Sequence, residues 1–107
     1  MSSEKINQLQ LLQQNVQSIL AQKQQIQSQL IELESALAEV GRTKKSYKIL
    51  GNVMVAVTTE NISKELNEKK EVAEVRLNNF IKQEERLKNN LEELQKEVVS
   101  GLKPENE

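Results

Sequence analysis

Carboxylates and lysines are the residues of this chain that could carry out chemistry, because it contains neither histidine nor cysteine. A carboxylate held close to another titratable group can serve as a general acid or base. Here, however, glutamate precedes lysine by four positions in four places: Glu60–Lys64, Glu65–Lys69, Glu84–Lys88 and Glu92–Lys96. Such pairs stabilise an exposed helix face by about 0.2–0.5 kcal/mol each. The spacing therefore favours a solvated helix surface over a catalytic dyad, and we expect no enzyme activity.

The sequence also lacks the patterns that bind cofactors and metals. Without cysteine there is no disulfide framework and no thiolate zinc site. The three glycines stand singly at positions 41, 51 and 101, which excludes a glycine-rich phosphate loop. We therefore expect neither a cofactor nor a metal.

The charge pattern bears on the choice of partners. The net charge is −1, with both signs interspersed, whereas a nucleic-acid partner calls for a basic excess. The one basic cluster, residues 42–48, is interpreted as a solvated loop; the alternatives are a nucleic-acid patch, or contact of Lys44 or Lys45 with an acidic partner. No apolar run suits a membrane span or a signal peptide. We expect a cytoplasmic protein without nucleic-acid or membrane partners.

A first long helix, at about residues 3–40, is predicted by an apolar stripe with alternating steps of three and four. Only Lys23 interrupts this apolar seam. Because the seam is too narrow for the helix to be buried in a globule, the helix needs a partner helix. Ser2 or Ser3 supplies the N-cap, and Gly41 is expected to end the helix in a left-handed conformation. The seam consists of Leu9, Leu12, Val16, Ile19, Lys23, Ile26, Leu30, Leu33, Leu37 and Val40.

A second helix, at about residues 59–101, repeats the same alternation. Thr58 is the predicted N-cap, with Val57 and Ile62 forming a hydrophobic staple across it. Gly101 and Pro104 are expected to end the helix. Because the connection between the helices is short, they must run antiparallel. The second seam consists of Leu66, Lys70, Ala73, Leu77, Phe80, Glu84, Leu87, Leu91, Leu94 and Val98.

Each seam contains a polar interruption, and folding the chain about its middle brings Lys23 level with Glu84. We hypothesise that the two residues pair and fix the register, because a mismatched register would bury a charge alone. The alternative is that both side chains reach solvent independently.

The first helix is also almost free of charge. Lys23 is the only charged residue from Ile6 to Ile31, and glutamine fills most other polar positions. Such a surface could contact varied partners with little charge discrimination. The alternative is that glutamine is simply a good helix former at exposed positions.

Between the helices, about residues 46–57 turn β-branched around Gly51-Asn52, which predicts a β-hairpin with a type II′ turn. Both faces of this hairpin are largely apolar. An isolated two-stranded hairpin is marginal in water, and its edges invite pairing with other chains. We therefore predict oligomerisation through pooled hairpins in a shared sheet or barrel, since the narrow helices offer no broad apolar surface to cover them.

Helix, single hairpin and helix together resemble the β-type subunit of prefoldin, also called GimC, over essentially the whole chain. The resemblance is carried by the glutamine-rich segments at 9–16 and 21–26, the hairpin sequence at 46–57, and the run GluValArgLeuAsnAsnPheIleLysGlnGluGluArgLeu at 74–87. It implies one domain over residues 1–107 that is mostly α, a long antiparallel two-helix coiled coil with one β-hairpin. Two α-type and four β-type subunits would pool their hairpins into β-barrels in an α2β4 hexamer.

The resemblance also implies a function, an ATP-independent chaperone (holdase) that captures unfolded client proteins and delivers them to a group II chaperonin. Assembly would use Tyr47, Ile49, Leu50, Val53, Met54, Val55 and Val57. Clients would be gripped near the distal coiled-coil ends by Ile6, Leu9, Leu11, Leu12, Val98, Val99 and Leu102. A different class of function, a structural coiled-coil adaptor that oligomerises through its hairpin and binds one folded partner, is the alternative.

Overall fold

The computed structural model describes residues 2–102, and the side chains of residues 3–101. Helix α1 spans Ser2–Arg42, strands β1 and β2 span Ser46–Leu50 and Val53–Val57, and helix α2 spans Thr59–Leu102. The chain divides into two compact units. One comprises Met1–Gln24 with Asn78–Glu107, and the other comprises Gln25–Leu77, which contains the hairpin.

In the unit formed by the first part of α1 and the last part of α2, the helices run antiparallel. Lys5 of α1 pairs with Glu97 of α2, and the later Lys23 pairs with the earlier Glu84. Every seam residue of this unit is half-buried or buried, and Leu94 is its buried apolar residue. The heptad stripe thus becomes the helix–helix contact, as its spacing predicts.

In the unit of residues 25–77, the seam is buried more deeply. Ile26, Leu30 and Leu33 of α1 and Ala73 of α2 are all buried, and Ala73 is only 3% exposed. A small side chain at a seam position lets the neighbouring helix approach closely, which accounts for the low exposure of the leucines and isoleucine around it. The best-packed part of the described chain therefore lies in the same unit as the hairpin.

The end of α1 differs from the prediction. Gly41 does not adopt a left-handed conformation, and the helix continues to Arg42. The Arg42 guanidinium lies 3.9 Å from the Glu39 carboxylate one turn earlier, and a cation in the last turn is favourable beside the negative end of the helix dipole. A charged final turn thus replaces the expected glycine cap.

The start of α2 follows the prediction. The Asn61 backbone amide donates to the Thr58 side-chain oxygen at 3.1 Å, and the Ile62 amide donates to the Thr58 carbonyl at 3.0 Å. Thr58 is therefore the N-cap. Val57 and Ile62, on either side of it, are both half-buried. The capping geometry fixes where the second strand ends and the second helix begins.

The hairpin turn also has the predicted form. Gly51 has a φ of 59°, and no residue other than glycine has a positive φ in the described chain. A positive φ at the first central residue alone distinguishes a type II′ turn from type I′. The turn pairs Leu50 with Val53, and the antiparallel register continues to Ser46 and Val57.

Candidate functional site: the hairpin surface and the helix ends

The two faces of the hairpin differ in exposure. Cross-strand partners share a face, so the register places Tyr47, Ile49, Met54 and Ala56 on one side. All four of these residues are exposed, with Ile49 at 68% and Met54 at 65%. We call them the open face. An apolar sheet surface of this kind is the feature that a shared sheet or barrel would bury.

The opposite face is held against α2 at the base of the hairpin. The Lys48 ammonium donates to the Glu65 carboxylate at 2.5 Å, and Lys69 lies 3.9 Å from the same oxygen. The hydrogen bond from Lys48, with the charges of Lys48 and Lys69, lowers the pKa of Glu65 below its usual value. This contact joins β1 to α2 on the side of the hairpin opposite the open face.

The predicted assembly residues therefore fall into two groups. Val57 is half-buried at the base of the hairpin. The other six are exposed, on the open face, beside the turn or on the opposite face: Tyr47, Ile49, Leu50, Val53, Met54 and Val55. Their assignment to an oligomer interface stays a prediction.

The predicted client-binding residues also fall into two groups. Leu9, Leu12 and Val98 are half-buried in the seam. Ile6, Leu11 and Val99 are exposed. They lie in the unit that contains the start of α1 and the end of α2. The side chain of Leu102 lies outside the described residues. The exposed residues are the ones available to a partner, and their role in client binding stays a prediction.

The polar residues that interrupt the two seams, Lys23 of α1 and Glu84 of α2, contact each other. The Lys23 ammonium donates to Glu84 Oε1 at 2.9 Å, and their side chains are only 20% and 10% exposed. Glu84 Oε2 is buried without a hydrogen bond, with the Lys88 ammonium 3.8 Å away. The structure thus pairs Lys23 with Glu84, as hypothesised, and a shifted register would leave a buried charge without its partner.

This pair predicts a loss of stability in acid. The Lys23 hydrogen bond, joined by the charges of Lys23 and Lys88, lowers the pKa of Glu84 despite the opposing effect of burial. A carboxylate whose pKa is lowered in the folded state stabilises the protein when it is ionised. This contribution is complete above the pKa of the unfolded chain, about 4.3, and is lost as the pH falls through the pKa of the folded state. Glu84→Gln should therefore destabilise the protein most at neutral pH, and its deficit should shrink in acid.

Urea unfolding of both proteins, at about pH 7 and about pH 3, measures that deficit. Glu85→Gln, at the adjacent exposed position, is the matched control and should cost little at either pH. A Glu84→Gln deficit that stays constant between the two pH values would contradict this role of the ion pair.

Neither described helix has an apolar stretch long enough to cross a membrane. Within residues 2–102, no group of three acidic side chains is arranged to hold a metal ion.

Comparison with known proteins decides the family. The family described as "Prefoldin subunit" matches residues 3–103. This chain belongs to the prefoldin family. It is 36% identical to the prefoldin subunit beta of Archaeoglobus fulgidus, covering 94% of this chain and 89% of that one. It is 39% identical to that of Sulfurisphaera tokodaii, covering 84% and 74%.

A solved prefoldin structure shows the same fold. The crystal structure of the prefoldin beta subunit from Thermococcus strain KS-1 matches with a TM-score of 0.89 and 36% identity. The match covers 96% of this chain and 93% of that chain. The predicted fold class, two long helices joined by one β-hairpin, is confirmed, and so is the resemblance to a β-type subunit. Membership of the prefoldin family makes the chain a chaperone subunit that assembles with other prefoldin subunits.

Sequence reasoning missed one contact of the hairpin and one pair of exposed apolar residues on α2. The Lys48–Glu65 contact joins residues 17 positions apart, in a strand and a helix, and no periodic signal links such elements. Exposed Val72 and Val75 of α2, at 55% and 59%, lie outside the seam and were not singled out. Their spacing of three residues is the signal that could have found them.

Proposed function

We propose that this prefoldin subunit acts as an ATP-independent holdase. Two α-type and four β-type subunits form an α2β4 hexamer, with residues 1–107 of each β chain as one domain. The hairpins pool into β-barrels through the open face and the turn. No cofactor or nucleotide takes part, and the assembly works in the cytoplasm.

In this proposal, unfolded clients bind near the ends of the helices and pass from there to a group II chaperonin. The observation that supports it best is that each of the two compact units has exposed apolar side chains of its own. The unit of residues 25–77 has those of the hairpin, and the other unit has Leu11 and Val99 among others. In the proposal, the hairpin residues are buried by assembly, and the exposed residues of the other unit bind clients by apolar contact.

The decisive experiment is aggregation of chemically denatured proteins, followed by light scattering after dilution into the assembly without nucleotide. Several unrelated proteins should remain soluble in proportion to the assembly present, and added ATP should not change the result. Failure to protect any of them, together with tight binding of one folded partner, would favour the adaptor alternative.

Transfer to a chaperonin is tested separately. Addition of a group II chaperonin with ATP should release the captured protein from the assembly and restore its activity. Release that is no faster than spontaneous dissociation would contradict this step and would leave the holdase step standing.

A further inference from the structure

A second row of residues runs along α1 beside the seam. Starting at Ile6, alternating steps of four and three residues keep to one helix face. All members of the row are exposed. We call it the glutamine row, and it consists of Ile6, Gln10, Gln13, Gln17, Leu20 and Gln24.

The glutamine row combines amide groups with an absence of charge. Gln10, Gln13 and Gln17, with the neighbouring Gln14, line a shallow depression. Two charged residues, Lys5 and Lys23, adjoin the row in sequence, and their ammonium groups lie 3.8 Å from Glu97 and 2.9 Å from Glu84. No side chain of the row takes part in a hydrogen bond with another side chain of residues 3–101. Each glutamine therefore offers two N–H donors and a carbonyl acceptor to a partner.

The chemistry of the row decides which partner fits. A second helix would need apolar side chains at nearly every step, but only Ile6 and Leu20 are apolar here. A charged ligand would find no opposite charge. An extended polypeptide backbone has the complementary groups, because its edge alternates N–H donors and C=O acceptors. A client segment without charged side chains adds no charge that the row must desolvate.

We propose that the glutamine row binds extended, uncharged segments of unfolded proteins, with glutamine amides pairing to the client backbone. The inference deepens the proposed holdase function and rests on it. The row rises about 27 Å from Ile6 to Gln24, which matches about eight residues of extended chain. Ile6 and Leu20 add apolar contact at either side of the three central glutamines.

The test is a fluorescence-anisotropy titration of the assembled subunit with a labelled peptide of about 12 residues, which is longer than the roughly eight extended residues that the row spans. The peptide contains serine, threonine, glutamine and valine and has no charged side chain. Combined Gln10→Glu, Gln13→Glu and Gln17→Glu keeps side-chain shape but removes the amide donors. Loss of these hydrogen bonds should weaken peptide binding about tenfold.

The opposite flank of α1 supplies the matched control. Gln8→Glu, Asn15→Glu and Gln22→Glu place the same three charges on exposed positions of the same helix. This control should bind the peptide as the unaltered assembly does. Equal weakening in both variants, or no weakening in the glutamine-row variant, would overturn the proposal. Circular dichroism establishes that both variants keep their helices.

A second probe tests the backbone contacts directly. The same peptide, N-methylated at alternate residues, lacks the backbone N–H groups on one edge. It should bind the unaltered assembly about tenfold more weakly than the parent peptide; equal binding would overturn the proposal. These titrations do not use the aggregation assay, so failure of the holdase function and failure of the glutamine row give separate results.

Discussion

Ile49→Asp is expected to dissociate the prefoldin assembly while leaving the helices of the subunit intact. Ile49 lies on the open face opposite Met54, and 68% of it is exposed in the single chain. If hairpins pool through this face, the substitution buries a carboxylate without a partner, which costs several kcal/mol. The dissociation constant of the assembly should rise at least about 100-fold.

Mass photometry of the β subunit mixed with an α-type subunit measures this change, and circular dichroism reports the helix content. Ile31→Asp is the matched control, because Ile31 is 64% exposed but lies on α1, outside the hairpin. Only the Ile49 variant should fall apart. An intact assembly with Ile49→Asp would show that the open face is not an assembly surface.

The choice of Ile49 depends on a detail that only the structure supplies. Val55 is also a predicted assembly residue, but it lies directly opposite Lys48 on the other face of the hairpin. An aspartate at position 55 would have that ammonium close by, and the new ion pair would offset part of the cost of burial. Ile49→Asp has no cation at its cross-strand position, so its result reports on assembly more directly.

Much of the fold could be predicted because one physical rule, heptad burial, acts along both helices. The seams drawn from spacing alone contain every buried residue of the described chain, including the charged Glu84. The Lys23–Glu84 pair followed from the same rule, because an antiparallel pair has few registers and a wrong one leaves a charge unpaired. The hairpin turn followed from the one local conformation that glycine adopts readily.

The features that could not be predicted include a contact between a strand and a helix, which have different sequence periodicities. The Lys48–Glu65 hydrogen bond distinguishes the two faces of the hairpin, whereas the sequence shows only that both faces are largely apolar. Gly41 was expected to end α1, but the helix continues to Arg42, whose cation lies in the last turn near the negative end of the helix dipole. The site residues were drawn from the family resemblance, and burial then separated those that are exposed from those in the seam.

Combined Leu11→Ser and Val99→Ser is expected to weaken client capture. Leu11 and Val99 are 58% and 53% exposed, and they lie outside the seam, so the substitutions should spare the helix pairing. Each apolar side chain that a client would bury contributes about 1.5–3 kcal/mol at most. If several β subunits of the proposed assembly grip one client together, capture should fall at least about tenfold.

The measurement is the amount of assembly needed to keep a denatured protein soluble, with mass photometry confirming an unchanged hexamer. Val72→Ser and Val75→Ser form the matched control, because they remove a similar exposed apolar area from α2 in the unit that contains the hairpin. The control should retain full capture if position along the helices determines binding. An equal loss in both variants would mean that clients bind apolar area wherever it is exposed, and the assignment of capture to the helix ends would then be wrong.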